Sequence, residues 1–218
     1  MASEQREPRA TTDEDLARAT IGEVRRLDGS VTLVESDPAW PERYAALACV
    51  ICEALGDAIL LVEHVGSTSV PGLVAKPIID IVLAVADSAD EATYVAALEP
   101  HGYALRIREP DWYEHRMLTD RDAAVNLHVF SAGCPEINRM LLFRDRLRSD
   151  PAERDRYAAV KRELAAQHWR HVQNYADAKT AAVEHAVARF GGGPELAVPE
   201  RVARPDARHA SRSGTDCG

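Results

Sequence analysis

The sequence predicts an α+β protein, a mixed β-sheet with flanking helices followed by a helical C-terminal section. Three observations carry that expectation. Apolar runs rich in Val and Ile at about 59–65 and 78–86 read as strands. A strict alternation follows over 124–130, with Val125, Leu127 and Val129 on one face and Asn126, His128 and Phe130 on the other. Beyond Pro135 the apolar spacing becomes helical and no strand pattern returns.

Residues 1–29 are charged and aperiodic and predict a disordered arm. Ser30 to Glu35 reads as a first strand. Asp37-Pro38 then offers an N-cap with proline at the first helical position. Tyr44, Leu47, Ala48, Ile51, Ala54 and Leu55 recur at helical spacing, and Gly56 is placed to stop that helix. After the two Val/Ile strands, Ser88 with Glu91 makes a capping box for a helix to about Leu98. Short β-like segments come next, around Tyr103 to Ile107, His115 to Leu118 and Ala124 to Phe130. One helix covers about 136–148. Asp150-Pro151-Ala152-Glu153 starts another, with an N-cap, an N1 proline and an acid at N3. A third runs from about His171 to Phe190. The triple glycine at 191–193 cannot continue it without a large entropic cost, and 191–218 reads as a disordered tail. The ordered domain is therefore expected over 30–190.

The 218-residue chain carries a net charge of -9, which argues against binding duplex nucleic acid, where Lys and Arg must displace counterions. A local basic pocket is still compatible with that total. No run approaches the roughly 18–20 apolar residues of a membrane span. The polar N-terminus lacks a signal-peptide core, so the expected location is cytoplasmic. Cys49, Cys52, Cys134 and Cys217 are too few for a disulfide scaffold and are expected as thiols. The Cys49-x-x-Cys52 pair sits inside a helical pattern with no second ligand pair, which favours plain packing over zinc or redox use.

The stretch from Glu63 to Ile81 holds the chemistry. Gly66-Ser67-Thr68-Ser69 follows a strand with flexible backbone and three hydroxyls, and such a turn can cradle phosphate oxygens on its N–H groups. The Walker spacing is absent, and short Gly-Ser turns are common. Lys76 could reach a phosphate or be a solvated loop charge. Pro71 and Pro77 stiffen the connection. Asp80 stands alone in an apolar strand, so its carboxylate needs a metal, a cation or several hydrogen bonds; a purely structural acid is the competing reading. His128 shares a strand face with Asn126 and could be a metal ligand, a general base or a hydrogen-bonded structural residue. Glu63 and His64 alternate, so only one of them can share a cleft with Asp80. On the helices, Arg144, Lys161 and Lys179 could supply cations to an anionic substrate with Asp145 fixing Arg144, or could be solvated helix charges.

Several blocks, in order, resemble the GrpB family of small bacterial proteins, placed within the nucleotidyltransferase superfamily. They are Asp37-Pro38-x-Trp40-Pro41, Glu63-His64-Val65-Gly66-Ser67-Thr68-Ser69-Val70-Pro71-Gly72-Leu73 and Lys76-Pro77-Ile78-Ile79-Asp80-Ile81. Asn126-Leu127-His128-Val129, Leu142-Phe143-Arg144-Asp145-x-Leu147-Arg148, Tyr157-x-x-x-Lys161 and Tyr175-x-x-Ala178-Lys179 complete the set, which spans about 31–190. The resemblance implies a nucleotidyltransferase-like sheet, a nucleotide or phosphorylated small molecule as partner, and Mg²⁺ or Mn²⁺ held by Asp80 and His128. Gly66, Ser67, Thr68, Ser69, Lys76, Arg144, Lys161 and Lys179 would then meet the phosphates.

Active superfamily members generally carry two acids one residue apart on this strand and a third on a later one. Here the partner position of Asp80 is Val82, and the later position falls near His128 or Asn126. The carboxylate set expected for two-metal phosphoryl transfer is incomplete. Two readings follow: nucleotidyl transfer to an unknown acceptor at an atypical one-metal site, or a non-catalytic nucleotide- or phosphometabolite-binding module. Homologous segments appended to dephospho-coenzyme A kinase link the second to coenzyme A metabolism by association only. An accessory protein without any small ligand is a third, and the sequence nominates no partner surface for it.

Overall fold

The structure, a computed structural model, describes residues 11–188. In chain order the elements are α1 (Asp13–Ala19), α2 (Trp40–Leu55), β1 (Leu61–Val65), β2 (Ile79–Val85), α3 (Val95–Leu98), β3 (Ala104–Glu109), β4 (His115–Thr119) and β5 (Val125–Ser131). Four helices close the chain: α4 (Pro135–Ser149), α5 (Pro151–Ala165), α6 (Val172–Ala178) and α7 (Thr180–Ala188). The strands form one mixed sheet in the order β1-β2-β5-β4-β3. The central pair β2/β5 is parallel and the other pairs are antiparallel.

Strand alternation divides the sheet into two unlike faces. Ile79, Ile81, Leu83, Val125, Leu127 and Val129 point to one side and pack with Ala48, Ile51 and Leu55 of α2 and with Tyr94 and Leu98. Burial of each large side chain there contributes about 1.5–3 kcal/mol. The other side carries Val82, Ala84 and Phe130, covered by Ile137, Met140 and Leu141 of α4. Asp80, Asn126 and His128 share that second face through their register with these residues.

The expected strands from β1 onward and the helices at Trp40–Leu55, Pro135–Ser149 and Pro151–Ala165 are present, with Gly56 at φ 53° ending α2. Asp150 caps α5 by accepting a hydrogen bond from the Glu153 N–H. Several expectations need correction. Ser30 to Glu35 makes no sheet strand: Val31 donates to the Ala165 carbonyl and Val34 bridges Ala75, so its pairing groups go to a helix end and a loop. Helix α2 begins at Trp40 rather than at Pro38, because Asp37 caps locally, accepting the Ala39 N–H at 2.9 Å.

The helix expected from Ser88 shrinks to Val95–Leu98 behind a 3₁₀ turn. Its capping box cannot form, since the Ser88 hydroxyl donates to the Glu114 carbonyl and Glu91 is taken by Arg108 and Arg116. The helix expected from His171 breaks at Lys179, whose N–H donates to the Ala176 and Asp177 carbonyls and so closes α6.

Within the expected N-terminal arm, residues 11–29 are structured: Thr12 and Asp15 form a capping box for α1, and Ile21 donates to the Arg106 carbonyl of β3. Residues 1–10 and the whole 191–218 tail lie outside the described residues. Cys49, Cys52 and Cys134 are thiols. No helix among the described residues is long and apolar enough to cross a membrane.

Candidate functional site

The first turn after β1 is built against Asp80. Gly66 has φ 69°, and a Cβ there would lie 2.3 Å from Asp80 Oδ2. Both the backbone conformation and the contact therefore demand glycine. Two of the three hydroxyls that follow brace the turn internally. Thr68 Oγ1 donates to the Ile78 carbonyl at 3.1 Å and lies 3.1 Å from His64 Nε2. Ser69 Oγ donates to the Gly66 carbonyl at 2.6 Å. Ser67 instead interacts through its side chain with the hydroxyl of Tyr157 on α5.

Asp80 is the one half-buried position in an otherwise buried β2, with its side chain 28% exposed. Asn126 Nδ2 donates to Asp80 Oδ1 at 2.8 Å, and His128 Nε2 lies 3.9 Å from the same oxygen. At that separation the histidine contact is electrostatic rather than a hydrogen bond. Burial works against the carboxylate, but His128, Asn126 and Lys76 together hold its pKa below the usual range.

His128 is itself backed by a chain across the sheet. Its Nδ1 lies 3.1 Å from His115 Nε2, and His115 Nδ1 lies 2.8 Å from Glu109 Oε2. The two imidazoles stack with centroids 5.3 Å apart. Asp80, His128, His115 and Glu109 thus form a row over β2, β5, β4 and β3. Burial pulls the His115 pKa down to about 4.

Three lysines interact electrostatically with Asp80: Lys76, Lys161 and Lys179. Burial pulls Lys161 down to about 6 and Lys179 to about 8, with neighbouring ammonium groups adding to both shifts. Burial also lowers Lys76. Lys161 donates to the Val74 carbonyl, and Lys179 Nζ sits 4.5 Å from the centroid of the Tyr175 ring.

Arg144 does not join this group. Its guanidinium donates to Glu63 at 2.8 Å, to the His64 carbonyl at 2.9 Å and to Asp145 at 2.7 Å. It lines a separate cavity of about 420 Å³ at the outer edge of β1, which Asp80, His128 and the three lysines do not line. Glu63 shares the Asp80 face, in register with Val82, whereas His64 points to the opposite side and stacks on Tyr44.

These residues fit a resident Mg²⁺ or Mn²⁺ poorly. Val82 is fully buried among apolar side chains. Asp80 and His128 supply one oxygen and one nitrogen donor among nearby ammonium groups, whereas Mg²⁺ favours an octahedron of oxygens. Among the described residues no group of three or more His, Cys, Asp or Glu side chains is arranged to hold a metal.

Sequence reasoning placed Gly66, Ser67, Lys76, Asp80, His128, Lys161 and Lys179 in the region where the fold brings them. It missed Glu109, His115 and Tyr157. Tyr157 was visible one helical turn before Lys161, but the register of β3, β4 and β5 that recruits the other two carries no local signal.

The GrpB protein family model matches residues 30–189. A UPF0157 protein of Halalkalibacterium halodurans is 57% identical over 82% of this chain and 91% of its own length. The crystal structure of the conserved protein GrpB from Enterococcus faecalis superposes with a TM-score of 0.61 at 30% identity, covering 73% of this chain and 99% of that one. A dephospho-CoA kinase of Mycolicibacterium paratuberculosis is 32% identical over 61% of this chain, a match spanning 39% of the kinase. With the family model spanning the sheet, the Gly66 turn and the lysine-bearing helices, this chain belongs to the GrpB family.

Proposed function

We propose that the Asp80 face binds a nucleotide or another phosphorylated small molecule without a resident metal, as a binding module on a nucleotidyltransferase-like sheet. The carrying observation is the grouping of Lys76, Lys161 and Lys179 around a single carboxylate. Burial and mutual repulsion disfavour the charged form of these lysines, and a polyanionic ligand would favour it. In this reading Gly66 and Ser67 present backbone N–H groups to phosphate, Thr68 and Ser69 hold the turn in shape, and Asn126 fixes Asp80. Arg144 supports the β1 edge instead of the phosphates.

Nucleotidyl transfer is the second reading. It is favoured by the row Asp80–His128–His115–Glu109, which would orient His128 toward a reacting group. Any Mg²⁺ or Mn²⁺ would then arrive with the nucleotide.

The test is thermal stability against a nucleotide panel, with and without Mg²⁺ or Mn²⁺. A ligand at a hundredfold excess over its Kd stabilises by about 2.7 kcal/mol. The binding reading predicts a metal-independent shift that Lys179→Gln removes, with no pyrophosphate released. Ligand-dependent pyrophosphate release that Asp80→Asn abolishes would replace it with catalysis. No shift with any phosphorylated ligand would overturn both.

A further inference from the structure

The cavity at the outer edge of β1 is built differently from the Asp80 face. Its lining includes the stacked pair Tyr44 and His64, with ring centroids 4.7 Å apart and planes within 11°. Pro41 and Pro71 also line it, with Arg144 and Arg148 of α4 and Arg154 of α5. The arginines have different duties. Arg144 is spent on Glu63, the His64 carbonyl and Asp145. Arg148 turns Nε and Nη2 to the Ser69 carbonyl at 3.0 and 2.8 Å, leaving Nη1 with Asp145 at 3.6 Å.

Arg154 has no such anchor. Its Nε is buried without a hydrogen-bond partner. Gly72, at φ 79°, passes close enough that a Cβ there would lie 3.8 Å from that nitrogen. No acceptor among the described residues meets this nitrogen, and the Arg154 side chain lines the cavity.

We propose that this cavity binds the phosphate group of a small phosphorylated molecule, with Arg148 and Arg154 as its cationic contacts and the Tyr44–His64 pair as the wall for the remainder. A carboxylate would be satisfied by one guanidinium fork. The Arg148 guanidinium, whose Nη1 is not held by Ser69, and the Arg154 guanidinium come from different helices and together suit a group with more oxygens. The volume of about 420 Å³ leaves room beyond the phosphate, within the range of small-molecule sites. The site is separate from the Asp80 face and does not depend on the function proposed for it. The Gly66–Gly72 turn lies between them, touching Asp80 through Gly66 and Arg148 through Ser69.

The experiment is calorimetric titration of the whole chain with inorganic phosphate and with ribose 5-phosphate. It is run in a Lys179→Gln background, which disables the lysine group at the Asp80 face. Saturable binding is expected there, with ribose 5-phosphate tighter than phosphate. Adding Arg154→Gln should weaken it by ~10-fold or more, the loss of a charge-assisted contact, while the melting temperature does not fall, because that side chain makes no hydrogen bond to the rest of the described fold. Absence of binding in the Lys179→Gln chain, or undiminished binding after Arg154→Gln, overturns the proposal. So does succinate binding as tightly as ribose 5-phosphate, which would make the site a carboxylate pocket.

Discussion

Replacing Gly66 by alanine probes the contact on which the Asp80 face depends. The new Cβ would lie 2.3 Å from Asp80 Oδ2 and 2.9 Å from both its Cβ and its Cγ. These are atoms near the backbone rather than the end of a flexible side chain, so Asp80 must move by about 1 Å to restore ordinary contact. That movement breaks the 2.8 Å bond from Asn126, worth about 1.5–3 kcal/mol because the acceptor is charged. The backbone at φ 69° and ψ −170° lies in a region that is essentially glycine-only and adds about 1–3 kcal/mol for a residue with a side chain. Together the variant should lose about 2.5–6 kcal/mol, or ~5–20 °C in melting temperature for a domain of this size.

Gly102→Ala is the control for a positive φ without the contact. It has φ 87° and ψ 4°, left-handed helical, and no atom lies within 4 Å of a built Cβ, so it should lose only about 1–2 kcal/mol of backbone strain. The two variants are compared by urea denaturation and calorimetric melting. Equal losses would refute the packing of Gly66 on Asp80. A second check is the double variant Gly66→Ala/Asp80→Ala. There the cost of the alanine should fall toward the Gly102 value without reaching it, since the Cβ at position 80 stays within 2.9 Å.

Two further outcomes follow from charge. The Lys161 pKa is pulled to about 6 in the folded chain from 10.5, so between those values the unfolded chain holds the extra proton and folding stability rises with pH. Its contribution is complete above the unfolded value and lost as pH falls toward 6; Lys161→Met should flatten the urea midpoint between pH 6 and 9 relative to the parent, and parallel profiles would contradict the burial. Arg144→Met removes hydrogen bonds to Glu63, the His64 carbonyl and Asp145. Both acids are about 40% exposed and rehydrate, so the expected loss is about 1–2 kcal/mol in urea denaturation, and a larger one would mean the β1 edge itself opens.

The parts of this molecule legible in its sequence are those with local periodicity. The alternation at 124–130 fixed β5 and the side of it that carries His128, and Asp80 announced itself as one acid in an apolar run. Where the sequence misled, a long-range contact had captured a local signal. Ser88 and Glu91 have the spacing of a capping box, but Glu114, Arg108 and Arg116 hold them elsewhere. Arg144 looked like a phosphate cation until Glu63, eighty-one residues earlier, came to its side. His115 and Glu109 were invisible as site residues because only strand pairing gives them neighbours.

The parallel pairing of β2 with β5 has a consequence for how the molecule comes into being. Asp80 and Asn126 are separated by 46 residues, and α3, β3 and β4 must be threaded between them before the central pair can close. Closure of so long a segment is entropically unfavourable until the contacts it enables are made. Lys161 and Lys179 then come from still later helices. A chain emerging from the ribosome therefore has its Gly66 turn early but cannot present a complete Asp80 face until α6 has docked. Under the binding proposal, occupancy of this face would report that synthesis has passed residue 179 and that the whole domain has assembled.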